Sequence, residues 1–237
     1  MSKSGNKPLA PGRGPSSAVD AFLRQVAVTP APGKTGGRGR LIFSMDATAS
    51  REPTWDQACQ LQGEMFDAAD QTGGIAVQLA YYRGFREFHA SPWLRNSQAL
   101  VDEMTSVVCR GGHTQIGKIL RHALTETRAD PVAALVFVGD SVEENPDKLC
   151  ELAGELGLLG VRAFMFLEGA DSLATETFRE IARLTGGACV PFDAASADQL
   201  RALLGAVAAY AAGGRAALEH YGRDKPDVVM RLTHQLK

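Results

Sequence analysis

Two carboxylates and three hydroxyls stand out in this chain, because a fold of alternating strands and helices would carry them to one rim. Asp46-Ala47-Thr48-Ala49-Ser50 follows the apolar run Leu41 to Met45, and Gly139-Asp140-Ser141 follows the run Val132 to Val138. Between them, Gly111-Gly112-His113-Thr114 leads into an apolar stripe that starts at Ile116, which puts Thr114 at or near the N-cap of a helix. Asp46, Thr48, Ser50, Thr114 and Asp140 make an all-oxygen donor set. Such hard donors suit Mg²⁺, Mn²⁺ or Ca²⁺ and suit zinc or copper poorly. In D-x-T-x-S, alternation turns positions 46, 48 and 50 towards one point while Ala47 and Ala49 pack away. Singly, Asp and Thr at strand ends serve as caps and turn formers. Their order and joint placement are what point to a cation.

The elements that must position these residues are legible in the hydrophobic pattern. Apolar runs alternate with helical stripes, the sequence form of parallel strands joined by crossover helices. Strands are predicted at Leu41 to Met45, Ile75 to Tyr82, Val132 to Val138, Val161 to Leu167 and Ala188 to Phe192. A further short strand, Phe85 to Phe88, follows Tyr82 across Gly84, so it forms a hairpin with its predecessor and runs antiparallel at an edge. Helical spacing marks Ile116, Ile119, Leu120, Ala123 and Leu124; Leu149, Leu152, Ala153 and Leu156; and Leu200, Leu203, Leu204, Val207, Ala208 and Ala211. Pro53 suits the first turn of the helix after strand one, whose buried side is Trp55, Ala58, Cys59, Met65, Phe66 and Ala69, interrupted by Gln62. The expected fold class is α/β: a doubly wound, mostly parallel six-stranded sheet with helices on both faces. In such sheets ligands gather outside the carboxyl ends of the strands, and strands one and four are expected to be neighbours.

With D-x-T-x-S, Thr114 and Asp140 in that order, the chain resembles the von Willebrand factor type A (VWA) family and its metal-ion-dependent adhesion site. Thr114 stands 68 residues after Asp46, and Asp140 a further 26 on, spacings that also fit. The resemblance covers roughly residues 40 to 212, and it departs at Thr48, where the family usually has Ser. It implies that Thr48 and Ser50 bind the metal directly, Thr114 directly or through water, and Asp46 and Asp140 largely through water. A cation so held keeps unneutralised charge, and attracts an Asp or Glu carboxylate of a partner protein. Bacterial members of the family serve as adaptors or assembly factors, so the expectation is a non-enzymatic, metal-dependent protein-binding module. The rival readings are a metal-assisted phosphohydrolase and a structural scaffold with a vestigial site.

Composition bounds these readings. A chain of 237 residues, 45% hydrophobic, has material for one α/β core and tails. Residues 1 to 40 carry seven basic residues and one acidic one, whereas 41 to 212 carry thirteen basic and twenty-three acidic. The acidic core and the lack of aromatic residues among the basic positions before Phe22 argue against nucleic acid, and the leader reads as a solvated tail. Residues 1 to 17, rich in Lys, Gly, Pro and Ser, are expected to be disordered; residues 18 to 39 to form a short helix and a Gly/Pro linker; and residues 213 to 237 to form a tail. No signal peptide or transmembrane run is expected, so the protein is assigned to the cytoplasm. Cys59, Cys109, Cys150 and Cys189 lack C-x-x-C spacing and read as reduced thiols. Gly33-Lys34-Thr35 lacks the strand and upstream glycine of a phosphate loop and reads as linker. Glu143 and Glu144 are expected to open the loop before the Leu149 helix and favour its dipole.

Overall fold

Five apolar runs extend into strands because every second side chain can be buried against a different layer of helices, and a short, more exposed sixth strand joins them at one edge. The six are β1 (Gly39–Asp46), β2 (Ile75–Arg83), β3 (Glu87–Ala90), β4 (Ala134–Gly139), β5 (Arg162–Glu168) and β6 (Ala188–Phe192). The computed structural model describes residues 39–70, 74–192 and 197–224. The leader, the helix and linker before Gly39 with Gly33-Lys34-Thr35, and the C-terminal residues from 225 on lie outside the described residues. The strands lie in the order β3-β2-β1-β4-β5-β6. All pairings are parallel except β2 with β3, where Arg83 faces Glu87 and Ala80 faces Ala90. This is the doubly wound sheet with one antiparallel edge strand that the pattern predicts, although β3 begins two residues later than expected.

Seven helices among the described residues cover the sheet: α1 (Glu52–Leu61), α2 (Gly63–Asp70), α3 (Ser97–Thr105), α4 (Ile116–Ala129), α5 (Pro146–Leu158), α6 (Ser172–Thr185) and α7 (Ala197–Asp224). The pleat sorts the strand residues between two layers. Leu41, Phe43, Met45, Val77, Val136 and Phe164 meet α1, α2, α3 and α7. Ile42, Leu135, Phe137, Ala163 and Met165 meet α4, α5 and α6. Burial on both faces explains why the central strands read as continuous apolar runs rather than alternating ones.

Two helices depart from the sequence pattern. The helix after β1 breaks in two at Gln62, which is buried and gives its N–H to Ala58 while its carbonyl accepts from Met65. Gly63, a poor helix residue, follows it. At the other end, the chain does not become a tail at Gly213 and Gly214. Both leave helical geometry, Gly214 at φ 65°, and then the helix resumes to Asp224. Ala217 and Leu218 are buried, and Leu218 joins the cluster under α7. The glycine pair is therefore a kink that folds a second helical limb back on the domain.

Phe164 lies at the middle of β5, fully buried, with its ring edge-on to Tyr210 of α7 at 5.9 Å. Phe164→Ala is expected to lower unfolding free energy by about 3–5 kcal/mol through lost transfer energy and a residual cavity. Urea unfolding should show a lower midpoint with an unchanged slope.

Candidate metal centre

Asp46 closes β1, and the chain turns immediately. Its Oδ1 accepts the N–H of Thr48 at 2.8 Å, and a single 3₁₀ turn, Ala49–Arg51, follows, closed by the Arg51 N–H on the Thr48 carbonyl at 2.9 Å. The turn brings the Thr48 and Ser50 hydroxyl oxygens to 3.2 Å from each other. Two adjacent ligands on an octahedral Mg²⁺, each at 2.0–2.1 Å, lie about 3 Å apart. Ala47 is buried, as the alternation predicts. Ala49 is exposed instead of packing away, because the turn replaces extended chain there.

Backbone hydrogen bonds gather the other segments around Ala47. Its N–H donates to the Tyr82 carbonyl at 3.0 Å, and its carbonyl accepts from Arg110 at 3.0 Å. The loop ahead of α4 is thereby tied to both β1 and the β2–β3 turn, where the His113 N–H and the Gln115 side chain donate to the Gly84 carbonyl. Gly84 takes a positive φ of 57° to make that turn. At Gly112, a Cβ would stand 1.9 Å from the Gly84 carbonyl oxygen, so only glycine admits this approach. Thr114 is buried and reaches the loop after β4: its hydroxyl accepts the Glu143 N–H at 2.9 Å, and the Glu143 carboxylate accepts the Thr114 N–H at 3.0 Å. Asp140 follows β4, which pairs with β1 so that Val138 faces Met45. Asp46, Thr48, Ser50, Thr114 and Asp140 thus lie along one rim, at the point where the strand order reverses.

The capping pattern corrects the expectations for this rim. Thr114 stands one residue before Gln115, the N-cap of α4, near where the pattern puts it, and the Gln115 side chain does not cap the helix. The Glu144 carboxylate does, accepting the N–H groups of Ile116 and, at 3.0 Å, of Gly117. The helix after β4 is capped by Asn145, whose side chain accepts from Asp147 and Lys148. Glu143 and Glu144 therefore serve the neighbouring loop and helix rather than their own, because parallel crossovers bring helix N-termini to a common rim.

Charge compensation is uneven. Asp46 is 2% exposed and, among the described residues, pairs with no cation. Burial pushes its carboxyl up to about 6, and the nearby Asp140 charge adds to this, against hydrogen bonds from Thr48. The fully buried Tyr82 hydroxyl lies beside it without reaching hydrogen-bond geometry. Asp140, by contrast, has the Arg51 guanidinium, with Nη2 at 3.2 Å from its Oδ2, and Arg51 Nη1 bonds Glu168 at the end of β5. Sequence reasoning singled out neither Arg51 nor Glu168. The signal was Arg51's place directly after D-x-T-x-S and Glu168's place at a third strand end. The set of adjacent hydroxyls plus a buried carboxylate lacking a counter-charge fits a hard divalent ion. Among the described residues, no group of three His, Cys, Asp or Glu side chains could hold a metal. Cys59 and Cys109 have thiols pushed up to about 11 by burial, so they are poor ligands at neutral pH. His113 sits exposed on the rim, with Nδ1 2.9 Å from Glu143 and its ring against Phe85. His122 lies on α4, bonded to Gln78.

No protein-family profile matches the chain, and no curated protein matches it in sequence. Solved structures do. The SpRpn10 VWA domain superposes with a TM-score of 0.55 at 14% identity, over 69% of this chain and 94% of that domain. The human COPII-coat protein Sec24c gives 0.54 at 16% identity, over 74% of this chain but only 32% of its own. Proximal thread matrix protein 1 from the mussel byssus, solved with a zinc-occupied MIDAS motif, gives 0.55 at 14% identity, over 73% of this chain and 48% of that one. The fold is VWA-like. The chain spans about a third and about half of the last two proteins.

Gly112→Ala should force the loop of Thr114 off the hairpin turn, at a cost on the order of 1–3 kcal/mol. Hydrogen exchange is the direct measurement: amides of residues 110 to 115 should exchange faster while those of β4 and β5 keep their protection.

Proposed function

We propose that this chain is a non-enzymatic, protein-binding module whose rim of Asp46, Thr48, Ser50, Thr114 and Asp140 holds a divalent cation, Mg²⁺ first, with Mn²⁺ or Ca²⁺ as substitutes. The observation that carries this reading is the pairing of two hydroxyl oxygens 3.2 Å apart with a buried carboxylate that has no cationic partner among the described residues. The bound cation would supply positive charge for an Asp or Glu carboxylate of a partner protein. Thr48 and Ser50, being neutral, contribute oxygens without quenching that charge, and Asp140 is already partly neutralised by Arg51. Thr114 is fixed by its two bonds to Glu143, so its hydroxyl is pre-positioned rather than recruited. The metal-occupied motif of the mussel protein supports a cation here. Thr48 keeps the oxygen that Ser would supply and adds a methyl group.

The partner would meet a rim that also offers Phe85, 72% exposed, beside His113. The compartment is the cytoplasm in this reading, where the four cysteines, all free, stay reduced. Among the described residues no helix is long and apolar enough to cross a membrane.

The test has two parts. Mg²⁺ at about a hundred times its dissociation constant should stabilise the chain by roughly 2.7 kcal/mol in thermal unfolding, and should not stabilise Asp46→Ala. Proteins captured from the source cell in Mg²⁺ should be lost both in chelator and with Thr114→Ala. Identical captures in all three conditions would sink the proposal and leave the scaffold reading.

A further inference from the structure

Arg51 and Glu168 lie outside the donor set but against it. Arg51 ends the 3₁₀ turn that carries Ser50, and is about nine-tenths buried. One guanidinium nitrogen stands 3.2 Å from Asp140 Oδ2 and the other bonds Glu168 Oε2. Thr54 donates its hydroxyl to that same Glu168 oxygen at 2.6 Å, so Glu168 is held in place from α1 as well. Arg51 Nε is buried and donates to nothing among the described residues. A permanently charged guanidinium therefore bridges the ends of β4 and β5, one residue from the paired hydroxyls.

Resting on the metal reading above, we infer that Arg51 is a built-in competitor for Asp140 that weakens the site's hold on its divalent ion, and that Glu168 is the second acceptor that draws Arg51 aside. The first half follows from charge. A fixed positive group that shares a carboxylate with a divalent ion opposes that ion, and in a buried position screening by salt is slight. The second half follows from geometry. Arg51 has two acceptors on two strand ends, and Thr54 keeps one of them in place however the guanidinium leans. The division of Arg51 between Asp140 and Glu168 then sets how much negative charge Asp140 presents to the ion. The consequence for binding is that the ion stays less neutralised than the two rim carboxylates alone would leave it, which favours an outside carboxylate.

Direct Mn²⁺ titration of the full chain, with free Mn²⁺ read by electron paramagnetic resonance, tests this without reference to any partner. Arg51→Gln is expected to bind Mn²⁺ about ten-fold more tightly, Glu168→Gln several-fold more weakly, and Arg51→Lys within about two-fold of the parent. In the Arg51→Gln background, Glu168→Gln should have a smaller effect than alone, because it acts through Arg51. Circular dichroism confirms folding of each variant, and Arg51→Lys separates loss of charge from loss of packing. If Arg51→Gln binds Mn²⁺ as the parent does, or more weakly, while Asp46→Ala abolishes uptake, this inference is wrong and the metal reading stands. If the parent takes up no Mn²⁺, both fall together.

Discussion

The arrangement of this molecule turns on a carboxylate held out of water at the end of its central strand. β1 has parallel neighbours on both sides, so the chain must leave it on one side and return on the other, and the crevice this opens lies directly over Asp46. Taking a carboxylate out of water is unfavourable unless hydrogen bonds or charge replace the lost hydration. At Asp46, among the described residues, the replacement comes from hydrogen bonds, chiefly the Thr48 N–H, and not from a cation. A few ångströms along the rim, Asp140 has a guanidinium. Two acids on one edge thus have different answers to the same problem, and the difference singles out Asp46 as the place where a positive charge is wanted.

What keeps that edge in register is main-chain bonding at Ala47, joined by two bonds between main chain and side chain. Ala47 bonds β2 through its N–H and the loop of Arg110 through its carbonyl, so β1, the hairpin turn and the approach to α4 are pinned at one residue. Thr114 and Glu143 then exchange two bonds and bring in the loop after β4. A site built on such ties has little freedom to collapse, and rigid support of this kind is what holds oxygen donors in an arrangement they would not choose alone.

The sheet was legible because both its faces are covered: Leu41 to Met45 and Val132 to Val138 could be little else than buried parallel strands, and Gly84 marked the hairpin. The strand-end placement of Asp46 and Asp140 was legible too, because each stands at the close of an apolar run. Other features were not, α3 and α6 among them. Gly213 and Gly214 look like the end of a domain, yet only tertiary packing of Ala217 and Leu218 decides that the helix resumes. Glu144 caps a helix 27 residues earlier, a long-range choice that no local pattern records. Arg51 looks like an ordinary first-turn residue until the end of β5 brings Glu168 to it.

The raised Asp46 carboxyl invites a catalytic reading, since a group poised near neutrality is what a general base requires. Access argues otherwise. Asp46 is 2% exposed and one of its oxygens accepts the Thr48 N–H, which leaves a substrate proton little access to it. The group with access is His113, oriented by Glu143. That pair is solvent-exposed on both sides, and Glu143 also holds the Thr114 N–H, so water and the backbone compete for the carboxylate that would have to steer the imidazole. That arrangement is in keeping with the proposal of a module that holds a ligand rather than transforming one.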